Sequence, residues 1–310
     1  MLVAERVRMP KSNNARAPAL RVILDRSAFH GERFDLLNAS PLRHLTSARI
    51  VEVYLTQVFL NETLTAYGSR KPVAWRQHLA FALDVCNGGI FLDKYDIWRE
   101  ELVMGRGPFA RRLLPERESK RYDSRPEVVA LLRAAAETGD LDRLWIDSKI
   151  ERDESYNKSV NQQEISERIR KEAKARLGAK PTQADLAGYP YKQFRRTELI
   201  RTGRHLMSVV TPRPRTLANQ WALAPLRFPY YTAFVDGFLY NGYYAALEQG
   251  KRIDRNAQAD YEQLAYLTWA DLVVSNDASF FTHAFDAIWK GRGKRMESAE
   301  SFVKLLERLA

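Results

Sequence analysis

Two short β-branched runs, each closed by an acid, lie near opposite ends of the chain and constrain its fold more than any other feature. ALRVILDRSAF (19–29) carries the apolar run Val22 to Leu24 and stops at Asp25. DLVVSNDASFF (271–281) carries LVV and stops at Ser275, Asn276 and Asp277. Short apolar runs bounded by polar residues read as buried strands, and RIVEVYL (49–55) is a further one. Thr56 is a suitable N-cap for the helical pattern QVFLNETLTAY, which Gly68 can stop. After Pro229, YYTAFVDGFLYNGYYAALEQG reads as one or two aromatic-rich helices, and Asn256 can cap AQADYEQLAYLTWA ahead of the strand LVVS. ASFFTHAFDAIW and ESAESFVKLLERLA read as closing helices. Strands alternating with helices at both ends of a chain imply an α/β fold with a parallel sheet.

Between about 70 and 225 the pattern changes to helical periods with long charged stretches. Pro and Gly cluster near 105–126, 178–190 and 211–229, which divides this section into several helices. Residues 1–18 are expected to be a flexible lead-in, and the middle section several helices joined by loops.

The 310 residues can bury a substantial core, and no run of about 18 apolar residues marks a membrane span. The N-terminal stretch carries no apolar run followed by a small-residue cleavage site, so export is not expected, and one cysteine, Cys86, excludes an internal disulfide, so a reducing cytoplasm is expected. Formal net charge is +11, which suits an acidic partner, nucleic acid above all. RGPFARRLLPERESKRYDSR (106–125) and YKQFRRTELIRTGRH (191–205) concentrate the cations, with Phe109, Tyr122, Tyr191 and Phe194 among them. A solvated helix face of mixed charge is the plainer account of either run taken alone. The five histidines, His30, His44, His78, His205 and His283, show no zinc-ligand spacing, and no phosphate-binding glycine motif occurs.

Four carboxylates hold unusual positions: Asp25 and Asp277 at strand ends, Glu62 and Asp260 on or beside apolar helix stripes. Each has an ordinary explanation. Asp25 can cap the next turn, Glu62 can sit at the edge of its stripe, Asp260 suits the positive end of its helix, and Asn276 or Asp277 can cap the helix that follows. Converging acids would repel one another unless a cation sat among them. Hard oxygen ligands of this kind suit Mg²⁺ or Mn²⁺, which support phosphodiester hydrolysis.

The order ILDRSAF with Asp25 and Ser27, VYLTQVFLNETL with Glu62, and DYEQLAYLTWADLVVSND with Asp260, Ser275, Asn276 and Asp277 resembles the PIN-domain nuclease family. The resemblance covers about 20–70 and 226–290, and its last segment is the most specific. It implies a Rossmann-like core with a parallel sheet, metal binding and catalysis by Asp25, Glu62, Asp260 and Asp277, and accessory polar groups at Ser275 and Asn276. It also implies a Mg- or Mn-dependent nuclease, acting on RNA before DNA. The long stretch between Glu62 and Asp260 departs from the family's usual spacing, which implies a discontinuous core, 19–70 plus 226–310, interrupted by a basic helical insertion over 71–225, and leaves Asp236 or Asp254 as an alternative third acid. A protein partner or a homo-oligomer stays open, and the competing function is an inactive nucleic-acid-binding or scaffold protein.

Overall fold

The computed structural model describes residues 18–67, 72–87, 89–91, 94–98, 101–102, 134, 171, 175, 191–210, 214–247 and 256–310. Among the described residues, five strands form one wholly parallel sheet: β1 (Leu20–Leu24), β2 (Val51–Leu55), β3 (Gly89–Ile90), β4 (Leu272–Val274) and β5 (Arg295–Glu297). Their order is β3-β2-β1-β4-β5, so the chain builds outward from β1 in one direction and, beginning with β4, in the other. The protein is an α/β fold.

The strands alternate as a pleated sheet covered on both faces requires. Val22, Leu24, Val53, Leu55, Leu272 and Val274 enter one core, whereas Ile23, Tyr54 and Val273 enter the other. The first core is closed by α1 (Glu32–Ala39), α2 (Leu42–Ser47), α3 (Gln57–Tyr67), α4 (Pro72–Val85) and the C-terminal helix. The second is built from α5 (Lys94–Trp98), α6 (Tyr191–Val210), α7 (Pro214–Leu223), α8 (Pro229–Leu247), α9 (Ala257–Ala265) and α10 (Phe280–Ile288). The C-terminal helix, α11 (Ala299–Leu309), is capped by Ser298, whose side chain accepts from the Ser301 N–H.

Two features depart from the expected organisation. β3 lies within 71–225 and extends the sheet beyond β2, while α4, α5, α6 and α7 all contribute side chains to the two cores. Parts of the stretch expected as an insertion are therefore integral to the packing. The aromatic-rich stretch after Pro229 is one continuous helix, α8. It approaches α9 so closely that a Cβ at Gly237 would stand 2.6 Å from the Tyr261 Cβ, which only glycine permits. This close approach fixes α9, the helix that carries Asp260.

Asn256 occupies the N-cap position of α9, yet its side chain makes no capping hydrogen bond. Its backbone is already helical (φ −91°, ψ −13°), whereas a capping side chain needs an extended backbone. Among the described residues, no helix is long and apolar enough to cross a membrane.

Candidate functional site

The register brings the carboxyl ends of the strands level. Leu24 pairs with Val274 and Val274 with Glu297, while Ile23 pairs with Tyr54. The next residues, Thr56, Asp25, Ser275 and Ser298, therefore form a polar row along one edge of the sheet. Capping explains much of this polarity. Thr56 Oγ1 accepts from the Phe59 N–H at 3.1 Å, and Asp25 Oδ2 from the Ser27 N–H at 3.2 Å.

Asp25 does more than cap. The Ser27 and Ser275 hydroxyls both donate to the same oxygen, Oδ2, the latter at 2.9 Å. Ser27 Oγ in turn accepts the Asn276 N–H at 2.8 Å, and Ser275 Oγ accepts the Asp277 N–H at 3.2 Å. Each hydroxyl has one proton, and each gives it to Asp25, so the 3.1 Å approach of the two hydroxyls is a contact between acceptors. The loops after β1 and β4 are thereby tied across the gap between the two strands. Burial pushes the Asp25 carboxyl above its ordinary range, against the pull of the Ser27 and Ser275 hydrogen bonds. Beside it, burial holds His30 below the usual imidazole value, with Arg26 acting in the same sense and Asp25 opposing.

The other expected residues are placed as follows. Asp277 is half-buried, and its Oδ1 accepts the N–H and hydroxyl of Ser279, both at 2.7 Å, bracing the turn into α10. Asn276 turns toward another helix. Its Oδ1 accepts the Ala299 N–H at 2.9 Å and its Nδ2 donates to Glu300, so the side chain serves the start of α11. That bond, with the backbone and Ser298, holds Glu300 down at about 2. Asp260 is buried in the first turn of α9, and Glu62 is half-buried on α3, next to the buried Thr63.

Of the alternatives for the third acid, Asp254 lies outside the described residues. Asp236 is wholly buried in α8, where Arg195 binds both its oxygens and Arg292 donates to Oδ2 at 2.7 Å. Paired with two arginines, it forms an ion pair between α8, α6 and the segment after α10.

Gln263 is a residue that sequence reasoning missed. Fully buried, it donates from Nε2 to the Leu24 carbonyl at 3.0 Å and accepts the Thr56 hydroxyl, locking α9 to the carboxyl ends of β1 and β2. Its position three residues after Asp260, on one side of the same helix, is the signal that could have found it.

The two basic runs fare differently. Residues 106–125, including Phe109 and Tyr122, lie outside the described residues. Residues 191–205 are in α6, where Lys192, Arg196, Arg201 and Arg204 are exposed. Tyr191 and Phe194, which lie among these cations in sequence, are buried against Tyr243 of α8, because the apolar stripe of α6 faces the core.

The donor set at the strand ends, carboxylate and hydroxyl oxygens, is the hard kind that Mg²⁺ or Mn²⁺ takes, and a nearby cation would relieve the buried Asp25. As placed, no three His, Cys, Asp or Glu among the described residues form a group that could hold a metal ion. Compared with known proteins, the chain matches no family model, no curated protein and no solved structure.

Proposed function

We propose that the chain is a PIN-like, metal-dependent nuclease acting on RNA, with its site at the carboxyl ends of β1 and β4. One observation carries this. Strand order reverses between β1 and β4, and in open parallel sheets the crevice outside the strand ends at such a point is where ligands bind. Asp25 stands on one side of that crevice and the loop ending in Asp277 on the other. The two serines pin Oδ2 of Asp25, and backbone N–H groups of Arg26 and Ser27 also hold the carboxylate at the edge of that crevice.

Asp25 and Asp277 would hold Mg²⁺ or Mn²⁺, with Asp260 and Glu62 completing the set. When bound, the ion supplies an acidified water and offsets charge on the departing oxygen. The chain's own part is to keep a carboxyl group in a buried, hydroxyl-lined position and to hold both loops in register through the Ser27–Asn276 and Ser275–Asp277 bonds. The exposed cations of α6 would add sequence-independent, salt-sensitive affinity for phosphates.

The test is cleavage of a mixed RNA pool by the full chain with Mn²⁺ or Mg²⁺. Asp25→Asn and Asp277→Asn each should lose about a hundredfold or more in rate, and chelation should abolish cleavage. Variants that cleave as fast as the parent would remove the proposal. A second account, a nucleic-acid-binding scaffold without catalysis, is favoured by one feature, the commitment of the Asp277 carboxylate to Ser279. Calorimetric titration with Mn²⁺ separates the two, since the nuclease binds the ion and the double variant Asp25→Asn, Asp277→Asn does not.

A further inference from the structure

Resting on the nuclease reading, we propose that Tyr244 and His283 form a stacking shelf for a base of single-stranded RNA, beside the Asp277 turn. The apolar residues of α10, Phe280, Phe281, Ala284, Phe285 and Ile288, are buried, which turns His283 outward. His283 is exposed and stands one helical turn past Ser279, the residue braced by Asp277, with its N–H bonded to the Ser279 carbonyl at 3.3 Å. The half-buried Tyr244 of α8 meets it, ring centroids 5.5 Å apart and planes inclined by 33°. Behind them the buried Phe280 ring packs edge-on to Tyr244 at 5.4 Å, so the shelf is backed by core and has little freedom to lose on binding.

The occupant follows from chemistry and charge. Rings with an accessible face, next to a site that cleaves phosphodiesters, suit an unstacked base, because every base has a π-face to offer. The first turn of α6 packs through Tyr191 on Tyr240 and Tyr243, which brings the exposed Lys192 and Arg196 to the same end of α8. The neighbouring phosphates thus find cations there, consistent with the net charge of +11. Tyr191 and Phe194, by contrast, are buried in the core.

The experiment is fluorescence anisotropy of the full chain with a short labelled single-stranded RNA, in chelator so that no cleavage intervenes. His283→Ala should weaken binding roughly tenfold, and Tyr244→Leu by a similar factor, whereas His283→Trp should restore parental affinity. Because Tyr244 is partly buried, its variant is compared at equal folded fraction by circular dichroism, and the exposed His283 needs no such allowance. Unchanged affinity in His283→Ala, a His283→Trp protein as weak as His283→Ala, or a parent that binds no RNA would each overturn the shelf. Failure of the nuclease reading looks different: Asp25→Asn would then cleave like the parent, whatever the ring variants do to binding.

Discussion

Ser275 gives its proton to Asp25 Oδ2 and takes the Asp277 N–H, so one hydroxyl both tunes an acid and shapes the loop that carries the next one. Replacing it by alanine removes a hydrogen bond to a charged group, which typically contributes about 1.5 to 3 kcal/mol. The effect depends on pH in a defined sense. Asp25 has its folded-state pKa raised by burial, so its contribution to stability is full below the unfolded value and is lost as pH rises through the folded one. Ser275 moderates that rise, and its removal lifts the carboxyl further. Ser275→Ala should therefore destabilise more at neutral pH than under acidic conditions, and urea unfolding at both settings measures it. Equal destabilisation at the two would show that the hydroxyl does not act through the ionised form of Asp25. The acids at the strand ends were legible because β-branched runs stop at them. The neutral ties were not, since Gln263 reads as an ordinary helix former and its two bonds, to Leu24 and Thr56, join segments far apart in sequence.

At the scale of elements, legibility followed burial. β1, β2 and β4 are central strands, covered on both faces, and their β-branched runs announce them. β3 is Gly89–Ile90 and β5 is Arg-Met-Glu with no buried residue; edge strands this short or this polar leave no periodic trace. The start of α8 shows another limit. Its first N–H groups are met by Glu101, whose two oxygens accept from Tyr230 at 3.0 Å and Tyr231 at 2.9 Å, a cap supplied from far away in sequence. Burial pushes the Glu101 carboxyl up to about 7, with both backbone bonds pulling the other way. Since the folded value is raised above 4.5, stability from this group is complete below that pH and declines as pH rises through about 7, by ~3 kcal/mol at the limit. Glu101→Gln should flatten the stability profile over that window. It also turns an amide NH₂ toward one of the two N–H groups, at a cost of about 1 kcal/mol that does not vary with pH. Denaturant midpoints measured across the window separate the two effects, and a slope equal to the parent's would remove Glu101 as its source.

The molecule as a whole is held by contacts that join what the sequence seemed to separate. Asp236 in α8 binds Arg195 in α6 and Arg292 in the segment between α10 and β5, so one carboxylate fastens the outer helix to the inner layer and both to the sheet. A buried acid in FVDGF is compatible with a metal ligand or an ion pair, and only the distant arginines decide between them. That is why the third acid could not be fixed from sequence. The two roles predict different losses. Asp236→Asn leaves two guanidinium groups without their carboxylate, which costs on the order of 3 kcal/mol; partial exposure of Arg195 and Arg292, 29% and 38%, brings the figure toward the lower part of the usual range. A metal ligand would instead lose ion affinity with stability little changed. Thermal unfolding of Asp236→Asn should therefore show a lowered midpoint, while Mn²⁺ titration of its folded fraction matches the parent; weakened ion binding at unchanged stability would return Asp236 to the site.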